Sequence, residues 1–166
     1  GWAAAWSFNN ANNYLNSSSV IDGTYAMGVY GQNVNASRLV SPTISGSTDV
    51  VTLAWSIRAN YDVATDDGNG ALLREVGVNV LSGSSSVLLT MKFAEGNSSL
   101  LLNDGGSDFA RSGITFATNA IYDFTFTSTI GSGLYSFTAA RRNDQSDSGS
   151  NFTYTGRTTG SIGGLQ

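Results

Sequence analysis

With 166 residues, 40% hydrophobic and 11% aromatic, the chain can build one real core and is too apolar for an unstructured tail. It has no histidine and no cysteine, which excludes Ser-His-Asp and Cys-His catalysis, His-ligated zinc, thiolate metal sites and disulfides. A net charge of −4 with only 12% charged residues gives no basic footprint for nucleic acid. No apolar run approaches the roughly 18–20 residues of a membrane-spanning helix, so membrane insertion is not expected.

In chain order, the first 48 residues are weakly patterned, with short strands expected at 2–8, 24–30 and 37–41 and a polar loop at 9–19. Strict alternation begins at 49–63. Val51, Leu53, Trp55, Ile57 and Ala59 take one face, and Thr52, Ser56, Arg58 and Asn60 the other. Asp66-Asp67-Gly68-Asn69-Gly70 is dense in turn formers and reverses the chain. Residues 72–81 read as a strand with Val76, Val78 and Val80 on one face. After Ser82-Gly83-Ser84-Ser85-Ser86 comes 87–93, with Val87, Leu89, Met91 and Phe93 inward. Glu95-Gly96-Asn97 turns into a short strand at 100–102, which ends at Asn103-Asp104-Gly105-Gly106.

Ile114 and Phe116 mark another short strand. In 121–129, Tyr122, Phe124 and Phe126 alternate with Asp123, Thr125, Thr127 and Thr129. Gly131-Ser132-Gly133 leads into 134–142, where Tyr135, Phe137 and Ala139 form the apolar face. The stretch 143–151 reads as a long surface loop, Phe152 and Tyr154 as a strand, and 161–165 as a last strand. No helical period is sustained, no fixed repeat is present and no linker divides the chain. The reading is a single all-β domain over 1–166: an antiparallel β-sandwich of jelly-roll type with about ten to twelve strands.

The succession "SRLVSP", "VVTLAWSIRANYD", "VGVNVLSG", "VLLTMKF", "LLLND" and "AIYDFTFTSTIGSGLYSFTAARRND" resembles the concanavalin A-like lectin/glucanase sandwiches, in particular LamG-like jelly rolls of secreted bacterial proteins. The resemblance covers about residues 37–142. It implies the fold more than the function, since this fold hosts lectins, glycosidases, lyases and adhesion modules. It also implies that a structural calcium ion is in keeping with the fold, while no organic cofactor is expected. A composition rich in Ser, Thr, Asn and Gly, with Lys92 the single lysine and Glu75 and Glu95 the only glutamates, points to a secreted or cell-surface protein. The opening Gly1-Trp2 reads as a mature or excised domain, expected to be fused to other domains of a carbohydrate-active enzyme.

Retaining glycoside hydrolysis needs two carboxylates about 5–5.5 Å apart. The Glu-x-Asp-x-x-Glu strand motif of the related glucanases is absent, and Glu75 has no carboxylate two or four residues on. The motifs of jelly-roll alginate lyases are absent too, which leaves a tyrosine-only mechanism as the lyase alternative. Non-catalytic polysaccharide binding fits the residues better, because sugars ask for aromatic platforms and planar hydrogen-bonding groups. Trp2, Trp6, Tyr14, Tyr61 and Tyr154 lie at strand ends or in polar loops and are the candidate platforms, against the plainer reading of edge or rim packing. Arg58, Asn60, Glu75, Asn79, Arg141, Arg142 and Asp144 are the candidate polar readers.

Seven of the eight cations are arginine, which grips carboxylates and sulfates in a fork. If Arg58 and Arg142 share a sheet face with Glu75 and Asn79, that face is a groove for an acidic, uronate-bearing or sulfated algal glycan. Ordinary surface ion pairing is the competing reading. Asp62, Asp66, Asp67 and Asn69 place oxygen ligands in one loop suited to Ca²⁺, against the plainer reading of a solvated hairpin. The expected function is therefore a non-catalytic carbohydrate-binding module that targets an appended enzyme. A lyase or glycosidase on the same fold, and an adhesion or structural domain, are the alternatives.

Overall fold

The computed structural model describes residues 7–8, 13–16, 26–29, 36–46, 48–59, 61–63, 74–155 and 160–166. Among these residues the chain forms thirteen strands and no helix. The strands are β1 (Ser7–Phe8), β2 (Asn13–Asn16), β3 (Ala26–Val29), β4 (Ala36–Ile44), β5 (Val50–Arg58), β6 (Glu75–Leu81), β7 (Val87–Ala94), β8 (Asn97–Asn103), β9 (Phe109–Thr115), β10 (Ile121–Thr129), β11 (Leu134–Arg141), β12 (Gln145–Thr153) and β13 (Ile162–Leu165). They make a seven-stranded sheet in the order β1-β4-β13-β6-β7-β8-β9, a four-stranded sheet in the order β12-β11-β10-β5, and a separate β2-β3 ribbon. All pairings are antiparallel.

The two larger sheets pack face to face as a β-sandwich, the architecture that the alternation in the sequence predicts. Their inner faces come from the period-two apolar positions. Leu89, Met91, Phe93, Leu100, Leu102 and Ile114 come from the large sheet, and Val51, Leu53, Phe124, Phe126, Tyr135 and Phe137 from the small one. Phe93 on β7 and Tyr122 on β10 meet across the layers with ring centroids 4.6 Å apart. Aromatic pairs of this kind add roughly 0.5–1.5 kcal/mol beyond the area they bury.

Two segments differ from the sequence reading. The expected loop at 9–19 contains β2, whose four residues pair with β3. The expected loop at 143–151 is for the most part β12, an edge strand of nine residues. Its polar composition hides it, yet its burial still alternates: Gln145, Asp147 and Gly149 are half-buried, while Ser146, Ser148 and Ser150 are exposed. The inward polar groups are satisfied by β9, which lies against β12 where the two sheets close. Arg111 Nε and Nη2 donate to Asp147 Oδ2 and Oδ1 at 3.0 and 2.7 Å, and the Thr115 N–H donates to Gln145 Oε1 at 2.8 Å. The connection between β11 and β12 turns on Asn143, which holds a left-handed φ of 65°, a conformation that asparagine tolerates. The turn expected at 66–70 lies outside the described residues.

Candidate functional site

The side chains of the four-stranded sheet that point away from the core form a regular array. Register places Ser146, Ala140, Asp123 and Ser56 in one cross-strand row, and Ser148, Thr138, Thr125 and Ala54 in the next. Ser136 pairs with Thr127, and Thr127 with Thr52, in a third row. Strands lie roughly 4.8 Å apart and alternate residues roughly 6.7 Å apart, so the face is a grid of short hydroxyl and methyl groups. Thr52 Oγ1 and Thr127 Oγ1 are bonded to each other at 3.2 Å. An open depression of about 380 Å³ lies over the centre, lined by Thr125, Thr127, Ser136, Phe137, Thr138, Ser148, Gly149 and Ser150. A second hollow, of about 440 Å³, shares Thr138 and Ser148 and extends to Ala139, Ala140, Ser146 and the carboxylate-bearing Asp147. These volumes fall within the roughly 300–1,000 Å³ of small-ligand sites.

The depression exists because β12 is a strand. Its bulge, where the register shifts between Tyr135 and Phe137, sets Ser150 and Gly149 beside Ser136 and Phe137. Gly149 keeps this corner thin: a Cβ there would sit 2.1 Å from Phe152 Cε2.

Charge gathers at one end of the face. Arg142 Nε and Nη2 donate to Asp123 Oδ2 and Oδ1 at 2.8 and 2.6 Å, and Ser56 Oγ donates to Asp123 Oδ1 at 2.6 Å. The Arg142 guanidinium, helped by Ser56, holds the Asp123 carboxyl below the usual carboxylate range. Arg58 ends β5 one row further out, opposite Ile121, and its Nε is buried without a hydrogen-bond partner among the described residues. Arg141 pairs with Asp144, and its Nη1 donates to the Thr115 carbonyl at 3.3 Å.

Glu75 and Asn79 lie on β6, in the other sheet, so they share no face with Arg58 and Arg142. The expected groove built from all four does not form. The alternation rule assigns faces within a strand but cannot say which sheet a strand joins. Glu75 accepts from Lys92 Nζ at 2.8 Å. Asn79 is part of a clasp: its Oδ1 accepts from Thr90 Oγ1 at 2.7 Å, and its backbone exchanges two hydrogen bonds with Gln166. Tyr61 is 46% exposed; burial of its hydroxyl pushes its pKa up, against the pull of nearby Arg74. Tyr14 lies in β2 of the separate ribbon, opposite Gly28. Trp2, Trp6, Asn60, Asp66, Asp67 and Asn69 lie outside the described residues.

Of the four calcium candidates, Asp62 alone is described. Arg74 Nη1 donates to its carbonyl at 3.4 Å. Among the described residues, no group of three or more acidic side chains is arranged to hold a metal.

The described carboxylates serve as ion-pair and hydrogen-bond acceptors. Glu75 and Asp108 take Lys92, Asp147 takes Arg111, Asp144 takes Arg141, and Glu95 accepts the Arg74 N–H at 3.0 Å. Asp108 is held below its usual range by Asn103 and Lys92. A glycosidase acid needs the opposite, a carboxyl pushed upward. Burial likewise raises Tyr122, Tyr135 and Tyr154, the reverse of what a tyrosine base requires.

The sequence does not reveal the hydroxyl grid, because threonines on an outward face look like ordinary solvation and because the polar residues of β12 read as a loop. The run Thr125, Thr127, Thr129 with Ser136 and Thr138 was the available signal. No protein-family model, curated protein or solved structure matches the chain.

Proposed function

We propose that this domain binds a polysaccharide without transforming it, as a secreted or surface accessory module of a larger carbohydrate-active enzyme. The observation that carries the reading is the open depression on the outer face of the four-stranded sheet, lined by Thr125, Thr127, Ser136, Thr138, Ser148 and Ser150. Short hydroxyls on rigid strands are prepaid in conformational entropy and offer both donors and acceptors to sugar hydroxyls. Its open form suits a chain better than an enclosed small molecule. The resemblance to concanavalin A-like sandwiches supports the same reading, and so does the engagement of Glu75, Asp108, Asp123, Asp144 and Asp147 in ion pairs.

Affinity electrophoresis of the purified domain against neutral and acidic polysaccharides tests this. The same mixtures are assayed for new reducing ends and for the absorbance of unsaturated uronates. Retardation on at least one glycan without product is expected. Product formation, or no retardation on any glycan, overturns the reading.

A further inference from the structure

The sequence pointed to arginine forks as the groups that would select an acidic glycan. The structure occupies three of the arginines and the lysine. Arg142 is held at both ends by Asp123, Arg111 by Asp147, Arg141 by Asp144, and Lys92 by Glu75 and Asp108. To seat a uronate or sulfate, the ligand would have to displace a carboxylate already in place with bidentate geometry. The exchange of one anion for another leaves little net gain. Arg58, whose Nε is buried without a hydrogen-bond partner among the described residues, does not line the depression.

The depression itself carries no charged side chain. Its hydroxyl lining is interrupted only by Phe137 and Gly149. No protein hydrogen bond engages the side-chain oxygens of Thr125, Ser136, Thr138, Ser148 or Ser150 among the described residues, while Thr127 shares one with Thr52. A charged ligand group placed there would give up its water for uncharged hydroxyls, which replace hydration poorly. A neutral sugar gives up only hydroxyl hydration and recovers it in kind.

We infer, on the reading that this face binds a glycan, that the depression takes an uncharged polysaccharide segment, and that the arginines around it brace the sandwich instead of selecting anions. The hydroxyl lining spans β10, β11 and β12, so the segment lies across these strands with successive sugar units over successive columns.

The test uses the whole chain and two soluble probe sets: neutral xylan and cello-oligosaccharides, and acidic alginate and carrageenan. Binding is measured by affinity electrophoresis and calorimetry at low and high salt. At least tenfold preference for a neutral probe is expected, with little change as salt rises. Thr138→Lys, at an exposed lining position, should lower neutral-glycan affinity at least tenfold. Thr125→Val, which keeps the shape and removes one hydroxyl, should lower it roughly three- to tenfold. Arg58→Gln should leave it within twofold. Circular dichroism and melting confirm that each variant is folded. Preference for the acidic probes with steep salt dependence overturns this inference while the binding function stands. So does unchanged neutral binding in Thr138→Lys, which moves the site elsewhere. Failure of both probe sets to bind overturns the proposed function as well.

Discussion

Residues that look alike in the sequence have different roles once their partners are known. Tyr135 and Tyr154 are both buried, at 1% and 5% exposure. Tyr135 Oη donates to Asp104 Oδ2 at 2.9 Å, and Asp104 is itself only 7% exposed. Tyr154 Oη has no hydrogen-bond partner among the described residues. Tyr135→Phe strands a buried carboxylate and should cost about 1–3 kcal/mol in urea denaturation. Tyr154→Phe removes at most a weak contact with the Ser128 hydroxyl, and its cost should stay under about 1 kcal/mol. Equal costs for the two would contradict this assignment.

Asp123 gives a pH signature. Its folded pKa is lowered from 3.8, first by Arg142 and then by Ser56. The stability it contributes is therefore present above the unfolded value and lost as the pH falls through the folded one. The pair is partly exposed, so Asp123→Asn should cost about 1 kcal/mol at pH 7. That difference should shrink steadily below about pH 4 when urea midpoints of the two proteins are compared. Arg142 was legible as a cation at a strand end. Its partner, one strand over, was not, because pairing across strands depends on register.

At the level of elements, β9 and β12 show how two polar edges close a sandwich. Arg111 bonds Asp147 in a fork, donates to the Ser148 carbonyl at 3.0 Å, and lies over the rings of Phe137 and Phe152 at 5.3 and 5.8 Å. The pair is half-buried, so Arg111→Ala falls between the surface and buried limits and should cost about 2 kcal/mol. Thermal or chemical unfolding measures it, and a neutral result would mean that the edges close without this brace.

β13 depends on close backbone approach. A Cβ at Gly163 would lie 2.2 Å from the Ser82 carbonyl oxygen, and that contact is with backbone, which cannot swing aside. Gly163→Ala should cost roughly 1–3 kcal/mol, read as a lower urea midpoint. The alternation of β5, β7, β10 and β11 was plain in the sequence because each has one apolar face. β12 was hidden because its inward groups are polar and are satisfied by another strand.

For the whole molecule, the last strand is structural. β13 lies between β4 and β6, and Ile162 and Leu165 are 0% and 2% exposed. Ending the chain at residue 160 would open two strand edges inside a sheet and uncover the core. The truncated protein should be insoluble or lack cooperative unfolding by circular dichroism. A soluble, cooperatively folded truncation would show that β4 and β6 can pair without β13.

The sequence alone determined the all-β class, most strand positions and the inward aromatic faces, because period-two burial is a local property that each strand carries by itself. It also determined which catalytic chemistries lack their residues, since composition needs no geometry. Tertiary structure decided which sheet each strand joins, and so separated Glu75 and Asn79 from Arg58 and Arg142. It decided that Arg111, Arg141 and Arg142 are spoken for by carboxylates, and that scattered serines and threonines converge on one uncharged depression. Those outcomes depend on register between strands distant in sequence, and register is set by the packing of the whole sandwich.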